Sequence, residues 1–159
     1  MRLAAFVLAS SLALGAASCG TKAAPSENDA ASVFRDRSDE EVTAALTAAK
    51  EQARREGKHV LLEFVAPWCA DCREVVKIAR QEPAASVLRE KYVLVPINVG
   101  RFDRHKALVA EHGVKVIAAF VVLDADGRRV AKTTLEPIST KDALTPEELA
   151  AWLRAPTGS

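Results

Sequence analysis

Apolar residues recur at helical spacing through Val42, Ala45, Leu46, Ala49 and Ala53, the stripe of an amphipathic helix packed on a core. Ser38 stands at its N-cap position, Glu41 completes a capping box, and Gly57 ends the run. The charged positions opposite (Glu40, Lys50, Glu51, Arg54, Arg55) read as a solvated face. Residues 59–65 are almost continuously apolar, as a strand buried on both faces requires. A helix is predicted over residues 69–80, and Pro83 restarts a short one that runs through Glu90. Residues 92–99 form a second strand, which Pro96 assigns to a sheet edge or a bulge. Asp103 is placed as the cap of a helix over residues 104–112, closed by Gly113. Residues 119–123 and 128–134 flank Asp124-Ala125-Asp126-Gly127, a hairpin signal. Thr145-Pro146-Glu147-Glu148 is a second capping box, with Pro at the first helical position, and opens a last helix that ends at Arg154. Two strands joined by a helical crossover, followed by an antiparallel hairpin, predict an α/β fold with a mixed four-stranded sheet and an additional N-terminal helix.

At 159 residues the chain holds one domain with extensions, and 49% hydrophobic residues supply an ample core. The net charge of +1, without a basic stretch, argues against nucleic acid as a partner and points to proteins or small thiols. Residues 1–18 carry Arg2, an apolar run from Leu3 to Leu14 and then small residues, which is the layout of an export signal. The run is shorter than the ~20 residues a spanning helix needs. Cys19 follows directly and is the odd thiol of three. It resembles the lipidated cysteine of bacterial lipoproteins, although Ala16-Ala17-Ser18 lacks the usual leucine three residues before it. That resemblance implies a lipid anchor at Cys19 and a location in the bacterial periplasm or cell envelope; simple cleavage nearby is the alternative. Residues 19–37 are small and polar, as in a flexible tether, and the domain is expected over residues 38–159.

The strand over residues 59–65 leads through Pro67-Trp68 into Cys69-Ala70-Asp71-Cys72 at a helix start. Two thiols at this spacing can close a small disulfide ring or hold a metal, and a helix N-terminus favours the thiolate. A permanent staple is the weaker reading, because so short a loop yields little stability. Glu63 is an acid in an apolar strand, on the face of Leu61 and Val65. A buried carboxyl there has a raised pKa; an edge position reaching solvent is the bland alternative. Asp71 either disfavours the neighbouring thiolate or stabilises the first helical turn, and both effects can operate. Trp68 is a contact surface beside the thiols or a core residue.

The segment LEFVAPWCADC resembles the thioredoxin superfamily, whose Trp-Cys-x-x-Cys closes a central strand, and weaker similarity extends over roughly residues 58–155. The Ala-Asp between the cysteines is similar to the Trp-Cys-x-Asp-Cys of thioredoxin-related reductases. The resemblance implies a thioredoxin-like three-layer sandwich and an exported thiol:disulfide oxidoreductase biased towards reduction. It implies Cys69 as nucleophile with its sulfur partly exposed, Cys72 as resolving thiol and Glu63 as acceptor of the Cys72 proton. Protein disulfides would be the substrates, an unidentified thiol the electron donor, and no cofactor is called for. Where the family carries a cis-proline opposite the cysteines, GVKVIAAF has Ala118. A cis bond before a residue other than proline costs ~2.5–4 kcal/mol, so the Ile117-Ala118 bond is expected to be trans. Trp68 and Ala118 are the expected substrate contacts. The absence of that proline opens a second reading, a metal-binding thiol module. It is short of ligands: Cys69 and Cys72 have for company His59, His105 and His112, which read individually as surface or capping residues. A redox-inert docking lipoprotein is a third reading, which leaves both cysteines and Glu63 unexplained.

Overall fold

A computed structural model describes residues 30–141 and 144–158. Its elements in chain order are α1 (Ala30–Val33), α2 (Asp39–Glu56), β1 (His59–Val65), α3 (Ala70–Ile78), α4 (Ala84–Lys91), β2 (Tyr92–Asn98), α5 (Lys106–Glu111), β3 (Ala119–Leu123), β4 (Arg129–Thr134) and α6 (Pro146–Arg154). The four strands form one mixed sheet in the order β2-β1-β3-β4. β1 runs parallel to β2 and antiparallel to β3, and β3 pairs antiparallel with β4. The central strand is β1, buried from Val60 to Val65. Pro96 sits opposite Glu63 on β2, which is an edge strand, so its missing N–H interrupts no further pairing.

Side-chain alternation assigns the helices to two layers. Residues paired with β1 share its faces, so Glu63 lies on the side of Leu61, Val65, Tyr92 and Phe120. On that side Tyr92 donates its hydroxyl to the Leu153 carbonyl at 2.6 Å and Phe120 meets Trp152, so α6 covers it; α4 packs on α6 and β2. Phe64, on the opposite face, meets His112 edge-on, and His105 bonds Asp39, which joins α5 to α2 there. The sheet therefore lies between two helical layers. No described helix is long and apolar enough to cross a membrane.

The local signals hold. Ser38 and Glu41 exchange both bonds of a capping box, and so do Thr145 and Glu148, each cap stabilising its helix by about 1 kcal/mol. Gly57 closes α2 in the left-handed conformation (φ 66°), and Gly127 turns the hairpin at φ 88°.

Three expectations need correction. Residues 30–36, at the end of the expected tether, are docked: Val33 is buried, and Asn98 donates from Nδ2 to the Phe34 carbonyl (2.9 Å) and to Asp36 Oδ1 (2.8 Å). A side-chain amide at the end of an edge strand captures backbone that composition alone leaves unstructured. Residues 1–29, which include the export segment and Cys19, lie outside the described residues. Asp103 does not cap α5; its carboxylate accepts from the Arg101 N–H at 2.8 Å, and the helix begins later, after His105. The Ile117-Ala118 bond is cis. The sequence expectation weighed the isolated peptide, whereas here Ala118 is fully buried and its carbonyl accepts from the Leu135 N–H at 2.8 Å.

Candidate active site

β1 delivers the chain to Pro67 and Trp68, and α3 begins immediately after Cys69. The turn is fastened by Arg73, whose guanidinium donates to the Pro67 carbonyl at 2.7 Å. Trp68 donates from Nε1 to the Gly100 carbonyl at 2.7 Å and leaves half its surface in solvent. Trp68 is therefore not a core residue.

Cys69 is the N-cap of α3, and its Sγ accepts from the Cys72 N–H at 3.0 Å. The two cysteines are disulfide-bonded, with their Cα atoms 5.2 Å apart. Cys72 is fully buried. Cys69 is buried too, at 5% exposure, against the expectation of a partly exposed sulfur. The strand-entry loop covers it: the Ile117 carbonyl oxygen lies 3.7 Å from Cys69 Sγ, with Ile117 and Ala118 buried behind. The loop that carries Ala118 thus faces the sulfur through the carbonyl before it.

Glu63 is buried in the middle of β1, and burial raises its pKa to about 7, with Arg80 acting in the opposite direction. A cavity of about 420 Å³ reaches it, lined also by Arg80, Tyr92, Leu88 and Lys58. The solvent-facing alternative for Glu63 is excluded.

Asp71 is the residue whose surroundings sequence could not supply. It is buried in the first turn of α3 and accepts three hydrogen bonds, from the Ile138 N–H (2.6 Å), the Ser139 N–H (3.1 Å) and the Ser139 hydroxyl (2.5 Å). Burial pushes its pKa up, but these donors outweigh it and the net shift is downward. Val116 and Ile138 expose 43% and 50% of their surface beside the site. An isolated isoleucine in the polar stretch Glu136-Pro137-Ile138-Ser139-Thr140 was the available signal, since an apolar residue outside any periodic run has no core face to fill.

The histidines do not join the cysteines. His59 is exposed at the start of β1, whereas His105 and His112 bracket α5 and are buried there rather than at the surface. Among the described residues no cluster of three or more metal-binding groups occurs, so the thiols have no partners for the four-ligand set zinc takes in structural sites.

Comparison with known proteins agrees with this geometry. The sequence profile of a thioredoxin-like family matches residues 41–125. The thiol:disulfide interchange protein DsbD of Neisseria meningitidis is 32% identical over 91 residues, which cover 55% of this chain and 15% of that protein. The chain thus spans only a small part of that relative. Among solved structures, a disulphide isomerase from Xylella fastidiosa superposes with a TM-score of 0.66 at 25% identity, over 76% of this chain and 93% of that one. The C-terminal domain of Neisseria meningitidis DsbD in the reduced form gives 0.52 at 27% identity, over 70% and 94%. On the profile match and the architecture together, the chain belongs to the thioredoxin-like family.

Proposed function

We propose that this protein is an exported thiol:disulfide oxidoreductase that works as a reductase on protein disulfides. The observation that carries the reading is Cys69: it caps α3, receives the Cys72 N–H on its sulfur and is joined to a fully buried Cys72. In the reduced protein the same N–H and the helix N-terminus stabilise a thiolate at Cys69.

That thiolate attacks one sulfur of the substrate disulfide. The substrate S–S bond breaks, a Cys69–substrate disulfide forms, and the departing substrate thiolate takes a proton from solvent. Cys72 then loses its proton and attacks Cys69 Sγ, which forms the Cys69–Cys72 disulfide and releases the second substrate thiol. Two electrons have passed to the substrate, and an external thiol restores the reduced pair. Glu63 takes the Cys72 proton; its raised pKa of about 7 makes it a competent acceptor near neutrality, and the cavity beside it leaves that proton a route outward. Asp71, held ionised between the two cysteines, disfavours additional negative charge nearby and so supports the reducing direction. Trp68 and the Ile117-Ala118 segment contact the substrate around Cys69. The relatives named for disulfide interchange and isomerisation lend weight to the activity. Residues 1–18 support export, and Cys19 supports a lipid tether.

The reading predicts that the reduced protein cleaves the interchain disulfides of insulin catalytically when a dithiol regenerates it, at a rate well above that of the dithiol alone. Turnover at the background rate by a folded, fully reduced protein would refute it.

A further inference from the structure

Four large apolar side chains stand exposed among the described residues: Trp68, Val116, Val130 and Ile138. Three of them surround the disulfide. Trp68 precedes Cys69, Val116 precedes the residue whose carbonyl touches Cys69 Sγ, and Ile138 is bonded through its N–H to Asp71. Trp68 is pinned through Gly100, and Val116 is pinned by its buried neighbour Ile117. Ile138 belongs to no helix or strand; it lies in the loop between β4 and α6. Its backbone N–H and that of Ser139 bond to one carboxylate oxygen, and the Ser139 hydroxyl bonds to the other. These bonds span 67 and 68 residues of sequence, and they reach the helix turn between the two cysteines.

We propose that Asp71 is a positioning residue for protein substrates: it clamps residues 138–139 against α3 and so fixes Ile138 as the third wall of an apolar rim around Cys69. The occupant of that rim is an extended protein segment carrying the disulfide to be reduced, with apolar side chains flanking the cysteine. A small disulfide reaches the sulfur without needing the rim. The inference rests on the reductase reading and deepens it by separating recognition of the polypeptide from chemistry at the sulfur. An ionised, charge-assisted acceptor suits this task, because bonds to a carboxylate are stronger than those to a neutral amide.

The test compares kcat/KM for reduction of the interchain disulfides of insulin with kcat/KM for bis(2-hydroxyethyl) disulfide, a small uncharged disulfide, in the native chain, Asp71→Asn, Ser139→Ala and Ile138→Ser. Any effect of the Asp71 charge on the thiols acts on both substrates alike, so the ratio of the two constants isolates the clamp. We expect Asp71→Asn and Ile138→Ser each to lower that ratio by about tenfold through a higher KM for the protein substrate, the change that follows when one anchoring contact is lost. Ser139→Ala, which keeps two of the three bonds, should fall between. Hydrogen exchange supplies a readout free of activity: the Ile138 and Ser139 amides should lose protection in Asp71→Asn while β1 keeps it, which also establishes that the variant is folded. An unchanged ratio in Ile138→Ser would overturn the rim, and an unchanged ratio in Asp71→Asn with intact loop protection would overturn the clamp. A native protein inactive towards both disulfides would overturn the reductase reading itself, and this inference with it.

Discussion

Cys69→Ser abolishes disulfide reduction, by about three orders of magnitude or more, while Cys72→Ser retains the first chemical step and stops there. The asymmetry follows from position. Cys69 lies at the helix end, where the Cys72 N–H points at its sulfur, whereas Cys72 is sealed one turn inside. In the proposed mechanism the first meets the incoming disulfide and the second reaches the mixed disulfide from within. Incubating each variant with an oxidised protein substrate and resolving the products on non-reducing gels checks this. Covalent adducts should accumulate with Cys72→Ser and be absent with Cys69→Ser. Equal trapping by both, or turnover that survives Cys69→Ser, would reverse the assignment. Both cysteines pack in the core, so each variant needs a cooperative unfolding transition as its control.

The second large effect lies at Glu63 and runs in opposite directions for stability and activity. Its carboxyl titrates at about 7 in the folded chain against an ordinary value of 4.5. Between those values the folded state holds a proton that the unfolded state has released. The stabilising contribution of the protonated carboxyl is therefore complete below about pH 4.5 and lost as pH rises through 7. The full loss is about 3 kcal/mol. Glu63→Gln, which cannot ionise, should gain on the native protein by up to that amount between pH 5 and pH 8.5, in denaturant titrations of the oxidised forms. Parallel pH dependences for the two proteins would mean that the carboxyl does not titrate in this range. In the proposed mechanism the same variant lacks the acceptor for the Cys72 proton, so the Cys69–substrate disulfide should resolve more slowly, by about tenfold or more. A variant that is both more stable and less active above neutral pH is what a strained catalytic group gives, and a purely structural glutamate does not.

Much of this architecture is legible because its signals are short-range. Ser38 with Glu41, Thr145 with Glu148 and the hairpin at Gly127 each lie within a few residues of what they determine. Pro96 limited β2 to an edge or a bulge because it lacks an N–H for a central ladder, and β2 is an edge strand. The cysteine pair was legible for the same reason: strand, turn and helix start are contiguous around it. Readings that required distant partners failed or stayed open. Asp71 finds its donors in a loop with no periodicity, and Asn98 captures Phe34 and Asp36 across more than 60 residues. The Ile117-Ala118 bond follows from packing around Ala118, which no local propensity encodes. His105 is buried against α2, where Asp39, 66 residues away in sequence, lies 2.5 Å from its Nδ1. Glu63 falls between these cases. Alternation placed it on the correct face, but only the assembled sheet and helices distinguish a buried acid from an edge residue.

The most direct test of the central claim is the redox equilibrium of the Cys69–Cys72 pair in graded dithiothreitol buffers. Alkylation mapped to each cysteine would be read together with the metal content of the same sample. The account predicts that both thiols appear together, as one reversible two-electron couple. Its potential should lie nearer the ~−270 mV of thioredoxin than the ~−120 mV of a strong oxidant such as DsbA, with metal well below one equivalent. A disulfide that resists mild reductant, thiols that titrate separately, a potential close to the oxidant's, or stoichiometric metal on the reduced pair would contradict it.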